Sequence, residues 1–514
     1  MCRKSEKIKS ETRMSHSRRQ FIQRVASTLA IAPFASTFDA NAADSIVTRA
    51  TPNMAEQLAH YAYSIDSFEF DRDSIESAKF RLIDSIGCAL SAFNEPTVQI
   101  CRKVAARSKQ GTTTLWGTSS KCQPELSAFA NGVALRYHDL NDVYVGKTTG
   151  HPSDNIAACF AVAESVGASG RQLLEAIVLA YEIDCRLMDA TDVTAKGWDH
   201  PIFTLPAVAL ASSKLLGSNE QKMIQSINLS LASSIAMYQT RVQQMSDWKG
   251  IADPDALRNG VFASLLAAEG VTGPSPIFEG NAGLFKQVTG PIAIDVAKFG
   301  GISSSFKIND CGYKLYPAQV YTLTSIPAAI ELAKRVGDIN KIASLQIATT
   351  KTGLLKSATG QEKWSPKTKE TADHSLPYVA SRALFDGVID VDSYSGGKIT
   401  DQVLLEFMKH VTVIEDKELT DQEPATTPCR LTATLKSGET ISVQINDMAG
   451  FPTRPMTCEA LEEKFYRSVK NVLRDDQAKH ALNSLWNIEY EENLGNLAKT
   501  FEIRTNNAKG TAIL

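Results

Sequence analysis

The densest polar run in the chain is Arg136-Tyr137-His138-Asp139-Leu140-Asn141-Asp142, followed shortly by Gly150-His151-Pro152-Ser153. Asp139 and Asp142 stand three apart, so on a helix they would share a face. His138 and His151 flank them. A histidine titrates near neutral pH, and a carboxylate beside it can orient the ring or take the complementary acid–base role, so the run suits proton transfer. His151 precedes Pro152, which biases it to an extended backbone at the start of a helix. A side chain in that position can reach into a cleft. Ser153 or Asp154 can cap the helix that follows. From spacing alone, a solvated loop with a helix cap explains the run equally well.

Asp139, Asp142 and His151 are also metal-ligand types. Their spacing matches neither H-E-x-x-H nor an EF-hand loop, so no metal is expected. Four further clusters carry chemistry-bearing residues. They are Gly197-Trp198-Asp199-His200-Pro201; Ser246-Asp247-Trp248-Lys249-Gly250, with Arg258 on a helix downstream; Gly312-Tyr313-Lys314-Leu315-Tyr316-Pro317; and Ala372-Asp373-His374-Ser375-Leu376-Pro377-Tyr378. Taken singly, each can be structural. The serines near histidines do not form G-x-S-x-G, which argues against a serine hydrolase. No G-x-G-x-x-G follows a strand and no G-x-x-x-x-G-K-[ST] occurs, which argues against nucleotide cofactors.

Bringing such dispersed clusters together takes a large scaffold. A chain of 514 residues exceeds one compact core, so two domains are expected. Up to about residue 300 the apolar periodicity is helical. Ala78, Leu82, Ile83, Ile86 and Leu90 mark a helix over Ser74 to Ser91, and further helices are predicted over Asp154 to Ser165, Gly170 to Leu187, Phe203 to Leu216, Met223 to Met237 and Ala256 to Gly270. Strands are predicted at Ile342 to Thr349 and Val411 to Glu415, with a hairpin of Arg430 to Leu435 and Thr440 to Ile445 turning at Lys436-Ser437-Gly438. Helical segments over Gln319 to Arg335 and Leu376 to Phe385 lie between them. Helices return at Cys458 to Leu473 and Asp475 to Trp486. The fold class expected is mainly α: a large all-helical domain (50–300, rejoined by helices in 453–514) plus a smaller α+β domain (301–452).

A net charge of −3 gives no global pull toward nucleic acid or anionic membrane, and no Lys/Arg cluster alternates with aromatics. None of the nine cysteines forms a C-x-x-C pair. No later stretch approaches the length of continuous apolar sequence that a membrane span requires. The first 43 residues read as an export leader. Arg18-Arg19 with Phe21-Ile22, then a mostly apolar stretch from Val25 to Phe34, then Ala40-Asn41-Ala42, follow the order of a twin-arginine signal. The expected location is therefore periplasmic or exported, the alternative being cytoplasmic.

Several ordered runs together resemble one family. They begin with Ala128-Phe129-Ala130-Asn131-Gly132, Asp139-Leu140-Asn141-Asp142 and His151-Pro152-Ser153-Asp154-Asn155. Ser246 to Gly250, Gly270-Val271-Thr272-Gly273-Pro274, Phe278-Glu279-Gly280, Ala372 to Tyr378 and Arg454-Pro455-Met456-Thr457 continue the match. The chain resembles the MmgE/PrpD family of 2-methylcitrate dehydratases, cis-aconitate decarboxylases and iminodisuccinate epimerases, over nearly all of its length after the leader. The resemblance implies a homodimer, with an active site between a helical and an α+β domain and no metal or organic cofactor. It places catalytic positions at Asp139, His151, His200 and Tyr378, and substrate-binding positions at Lys249 and Lys314, with Arg258 as a weaker candidate. It implies a small polycarboxylate substrate and dehydration of a 2-methylcitrate-like hydroxy acid. The same acid–base set would serve an epimerase, and the lysines alone would serve a non-catalytic carboxylate-binding protein. Val143 stands where cis-aconitate decarboxylases carry a threonine, which points away from decarboxylation.

Overall fold

The computed structural model describes residues 51–503, apart from 109 and 233; the leader expected over 1–43 lies outside these residues. The first half is helical. The long helix Arg72–Ser91 starts where the Asp71 carboxylate accepts from the Ser74 backbone N–H at 2.8 Å. Gly170–Ala190 starts at a capping box in which Ser169 and Gln172 satisfy each other's backbone. Pro201–Leu215 and Ala252–Ala268 pack against each other and against the helices around them.

The helix expected over Met223 to Met237 spans Glu220–Ala232 instead. Its apolar periodicity runs on, but tertiary pairing takes over: Met237 bridges Trp198, and the Asp199 backbone N–H donates to the Ala236 carbonyl at 2.8 Å. The helix expected from Gln319 begins at Ser325, after a short 3-10 turn at Val320–Thr322. Gln319 is held back because its side-chain oxygen accepts from the Tyr321 backbone N–H at 2.9 Å.

The second half contains one four-stranded sheet. Its strands are β1 (Ile342–Thr349), β2 (Val411–Glu415), β3 (Cys429–Leu435) and β4 (Thr440–Ile445), in the order β2-β1-β3-β4. β1 and β2 are parallel, and the other pairs are antiparallel. β3 alternates buried and half-buried residues along its whole length, as a strand covered on one face should. Helices Ser325–Val336 and Leu376–Asp386 cover that face.

Two large hydrophobic cores result. One gathers the helices up to Cys311 and takes in Leu461, Phe465, Leu482, Leu485 and Phe501 from the closing helices. Gly87 lets helix Cys458–Val469 approach closely, because a Cβ there would stand 3.3 Å from the Phe465 ring. The other core surrounds the sheet and runs from Ala318 to Met448. Val143 belongs to this second core despite its early position in the chain. Two backbone hydrogen bonds with Gly312, at 2.9 and 2.8 Å, hold it there. The Asp139–Val143 segment thus crosses from one core to the other. Among the described residues, no helix is long and apolar enough to cross a membrane.

Candidate active site

A cleft of about 560 Å³, counting its open mouth, lies where the two cores meet. Asp139, His151, His200 and Lys314 all line it, together with Arg136, Arg241 and His374.

Asp139 follows the helix Pro124–Arg136 and has a φ of 53°, a left-handed conformation uncommon for a residue with a side chain. The turn is held on both sides. Its backbone N–H donates to the Arg136 carbonyl at 3.1 Å, and its carboxylate is gripped by the Arg136 guanidinium. Lys314 Nζ donates to the carboxylate at 2.8 Å, Lys249 Nζ stands 3.5 Å away, and His151 Nε2 is 3.8 Å away. Burial alone would raise the Asp139 pKa. Arg136, Lys249 and Lys314 outweigh it and hold the carboxyl well below the usual range.

Asn141 and Asp142, from the same run, build the wall rather than face the cleft. Asn141 donates to Ser153 Oγ and to Asp154. Asp142 accepts from the Ser153 backbone N–H and the Tyr181 hydroxyl, and pairs with buried Arg81. Asp154 does not cap the following helix. Burial, reinforced by the charge of Asp253, raises its carboxyl well above the usual range, against the opposing pull of Arg136 3.6 Å away.

His151 stands just before the turn Pro152–Asp154. Its Nδ1 contacts the Asp142 backbone carbonyl at 2.7 Å. A carbonyl can only accept, so Nδ1 carries the proton and Nε2 presents a lone pair. Burial, then the charges of Arg136 and Lys314, push the His151 pKa well below 6.5. The ring is thus neutral and pre-set as a base.

His200 lies 5.5 Å from His151, centroid to centroid. It takes helical dihedrals, φ −58° and ψ −25°, against the usual preference of a residue before proline. Its ring is clamped: Nδ1 lies 3.0 Å from Asp253, and Nε2 accepts from Arg241 at 3.3 Å. Arg241 also donates to Asp199, to Asp253 and to the Lys249 carbonyl, each at 2.9 Å. One guanidinium therefore fixes His200 and both aspartates behind it. Arg241 sits alone in its sequence neighbourhood, so no local pattern points to it.

Lys249 is fully buried behind Asp139, between that carboxylate and Asp373, whose Oδ2 lies 3.4 Å away. Burial first of all lowers its pKa to about 8. His374 donates through Nδ1 to Asp373 at 2.5 Å, and burial, with Lys249 next, lowers the His374 pKa to about 3. Asp139, Asp373 and His374 offer three atoms close enough to ligate one ion. The Lys249 ammonium already bridges the two carboxylates of that set, which leaves a cation little electrostatic incentive.

Three expected positions do not line the cleft; Lys249, expected to bind substrate, is buried behind Asp139 and spends its charge on Asp139 and Asp373. The Tyr378 side chain points into the second core, where its hydroxyl donates to the Ser393 carbonyl at 2.8 Å. Arg258 pairs with Asp255 at 2.8 Å on a partly exposed helix face. Val143 also faces away from the cleft, into the second core.

The pattern found in the sequence has counterparts in known proteins. Residues 56–296 match the MmgE/PrpD N-terminal domain and residues 316–489 the MmgE/PrpD C-terminal domain. A mitochondrial 2-methylcitrate dehydratase of Yarrowia lipolytica is 24% identical over 85% of this chain and 88% of its own. The cis-aconitate decarboxylase of Homo sapiens is 24% identical over 81% of this chain and 87% of its own. The 2-methylcitrate dehydratase of Escherichia coli is 23% identical over 67% of this chain and 74% of its own. With both domains matched in order, and Asp139, His151 and Lys314 gathered at one cleft, this chain belongs to the MmgE/PrpD family.

Proposed function

We propose that the protein is a cofactor-independent carbon–oxygen lyase that removes water from a 2-methylcitrate-like hydroxy acid. The observation that carries this reading is the His151 ring, held neutral with Nδ1 bonded to a carbonyl and Nε2 free toward the cleft. Such a base removes the proton from the carbon next to a substrate carboxylate. The charge that develops on that carboxylate meets Lys314, which spends two of its three N–H bonds on Asp139 and has one left. The C–O bond then breaks, and the His151 imidazolium returns its proton to the departing hydroxyl, which leaves as water. Asp139 stabilises the imidazolium between those steps. His200, fixed by Arg241 and Asp253, shapes the wall beside it.

Relatives named as dehydratases support the reading. A homodimer, and export through the leader with its Arg18-Arg19 pair, complete the proposal. They are tested by light scattering of the purified protein and by the size of the secreted product. The function itself is tested by incubating the protein in deuterated water with 2-methylcitrate, citrate and related acids and following products by NMR. Water loss is the expected result. Deuterium uptake without water loss would instead establish an epimerase, and carbon dioxide release a decarboxylase.

A further inference from the structure

The cations at the cleft are unequally occupied. Arg136 grips Asp139, Lys314 is bonded to the same carboxylate, and Arg241 is shared by Asp199 and Asp253. Lys356, on the short helix Lys351–Ser357, also lines the cleft and is half-buried, yet it forms no ion pair and no hydrogen bond among the described residues. Its ammonium lies 5.6 Å from the centre of the Tyr321 ring. The carboxylates whose charges reach it are Asp192, Glu423 and Asp199. All three are engaged elsewhere, with Thr194, with Thr350 and Thr352, and with Arg241. An ammonium drawn out of water without a partner is costly unless a ligand supplies the counter-charge.

A second donor stands next to it. The Gln319 side-chain oxygen accepts from the Tyr321 backbone N–H and from the Ser357 hydroxyl, both at 2.9 Å. Because a backbone N–H can only donate, the oxygen is identified, and the –NH2 of Gln319, a residue that lines the cleft, has no protein acceptor among the described residues. Ser357 adjoins Lys356, so one hydrogen bond fixes the two donors to each other.

We propose that Lys356 and Gln319 form a subsite for a second, non-reacting carboxylate of the substrate, and so select polycarboxylates over monocarboxylates. The inference rests on the polycarboxylate reading above and extends it to a residue pair with no role in proton transfer. Two N–H donors without acceptors and no competing carboxylate make a site for an anion, and the cleft they share with His151 and Lys314 places that anion on the same molecule.

Titration calorimetry of the full chain with two unreactive acids tests this. Tricarballylate, with three carboxylates, is expected to bind at least about tenfold more tightly than propionate, with one. Lys356→Met should lower tricarballylate affinity about tenfold and leave propionate within about twofold. Lys356→Gln, a milder removal of the charge, should do the same, and Gln319→Leu should give a smaller loss of the same selectivity. Equal loss for both acids in the two Lys356 variants, or no loss, overturns the proposal. Neither acid has to react, so the two readings fail separately. A protein with this Lys356-dependent preference that dehydrates no hydroxy acid keeps the subsite and loses the lyase. One that dehydrates but lacks the preference loses only the subsite.

Discussion

Lys314 Nζ donates to both the carboxylate and the backbone carbonyl of Asp139, at 2.8 and 3.1 Å. The lysine thus holds the side chain and the left-handed turn that aims it. Lys314→Met removes both contacts and leaves the strained turn to Arg136 and the more distant Lys249. Turnover should fall by about 10²–10³-fold, the scale of losing one pre-set donor at a developing charge. Stability should fall by about 3–5 kcal/mol, as when one partner of a buried pair is removed. Steady-state kinetics and urea melts measure the two effects. Unchanged turnover in a folded variant would remove Lys314 from the mechanism.

His151→Ala should lose about 10²–10⁴-fold in turnover, the usual share of a positioned base. Tricarballylate binding should persist, because no substrate carboxylate depends on that ring. A variant as active as the parent sinks the assignment.

The resemblance puts Tyr378 among the catalytic groups, whereas its hydroxyl here is spent on the Ser393 carbonyl inside the second core. Tyr378→Phe is expected to cost about 1 kcal/mol of stability, the net value of one hydrogen bond, and to leave turnover nearly intact. A large kinetic loss with normal stability would show that the side chain turns toward the cleft during catalysis.

Arg241→Met should be among the most damaging single changes at the site, since it strands Asp199 and Asp253 and frees the His200 ring. Arg241→Lys should not rescue it, because an ammonium cannot reproduce the fork that reaches four partners. The comparison of the two variants by thermal melt and kcat provides the test.

The buried histidines set an acid limit on the fold. His138 and His374 are each lowered to about 3, chiefly by burial, so both are neutral in the folded protein. In the unfolded chain such rings take up a proton near pH 6.5. Unfolding therefore binds protons as the pH falls through about 6.5, and the native state loses stability from there down toward the folded values near 3. Asp139 acts in the opposite sense and lower down: its stabilising charge is present above about pH 4 and lost below it. Melting temperatures from pH 7 to 4 should decline, and His138→Leu should flatten the decline. A slope unchanged by that variant would show that its ring does not take part.

What the sequence makes legible follows from how chemistry is distributed along the chain. Asp139, His151, His200, Lys249 and Lys314 sit in dense polar runs, beside prolines or glycines that punctuate the elements, so their neighbours announce them. Strands β1, β2 and β4 keep the bounds expected from their runs of β-branched and apolar residues. Arg241 and Lys356 stand alone in sequence. Their importance comes only from what folding brings near, which no spacing rule encodes. Tyr378 shows a related limit. A motif match locates the residue, but the direction of its side chain is decided by the packing of Leu376–Asp386 on its neighbours.

The paired backbones of Val143 and Gly312 have one more effect. Asp139 precedes one end of that bridge by four residues, and Lys314 follows the other by two. Although 175 positions separate them along the chain, the two residues are attached like opposite arms of a short staple. Their spacing is set by a few peptide units rather than by the length of everything threaded between. An insertion in a surface loop of that span that carries no cleft residue should leave the Asp139–Lys314 contact as it is, whereas one extra residue between Asp139 and Val143 should ruin it.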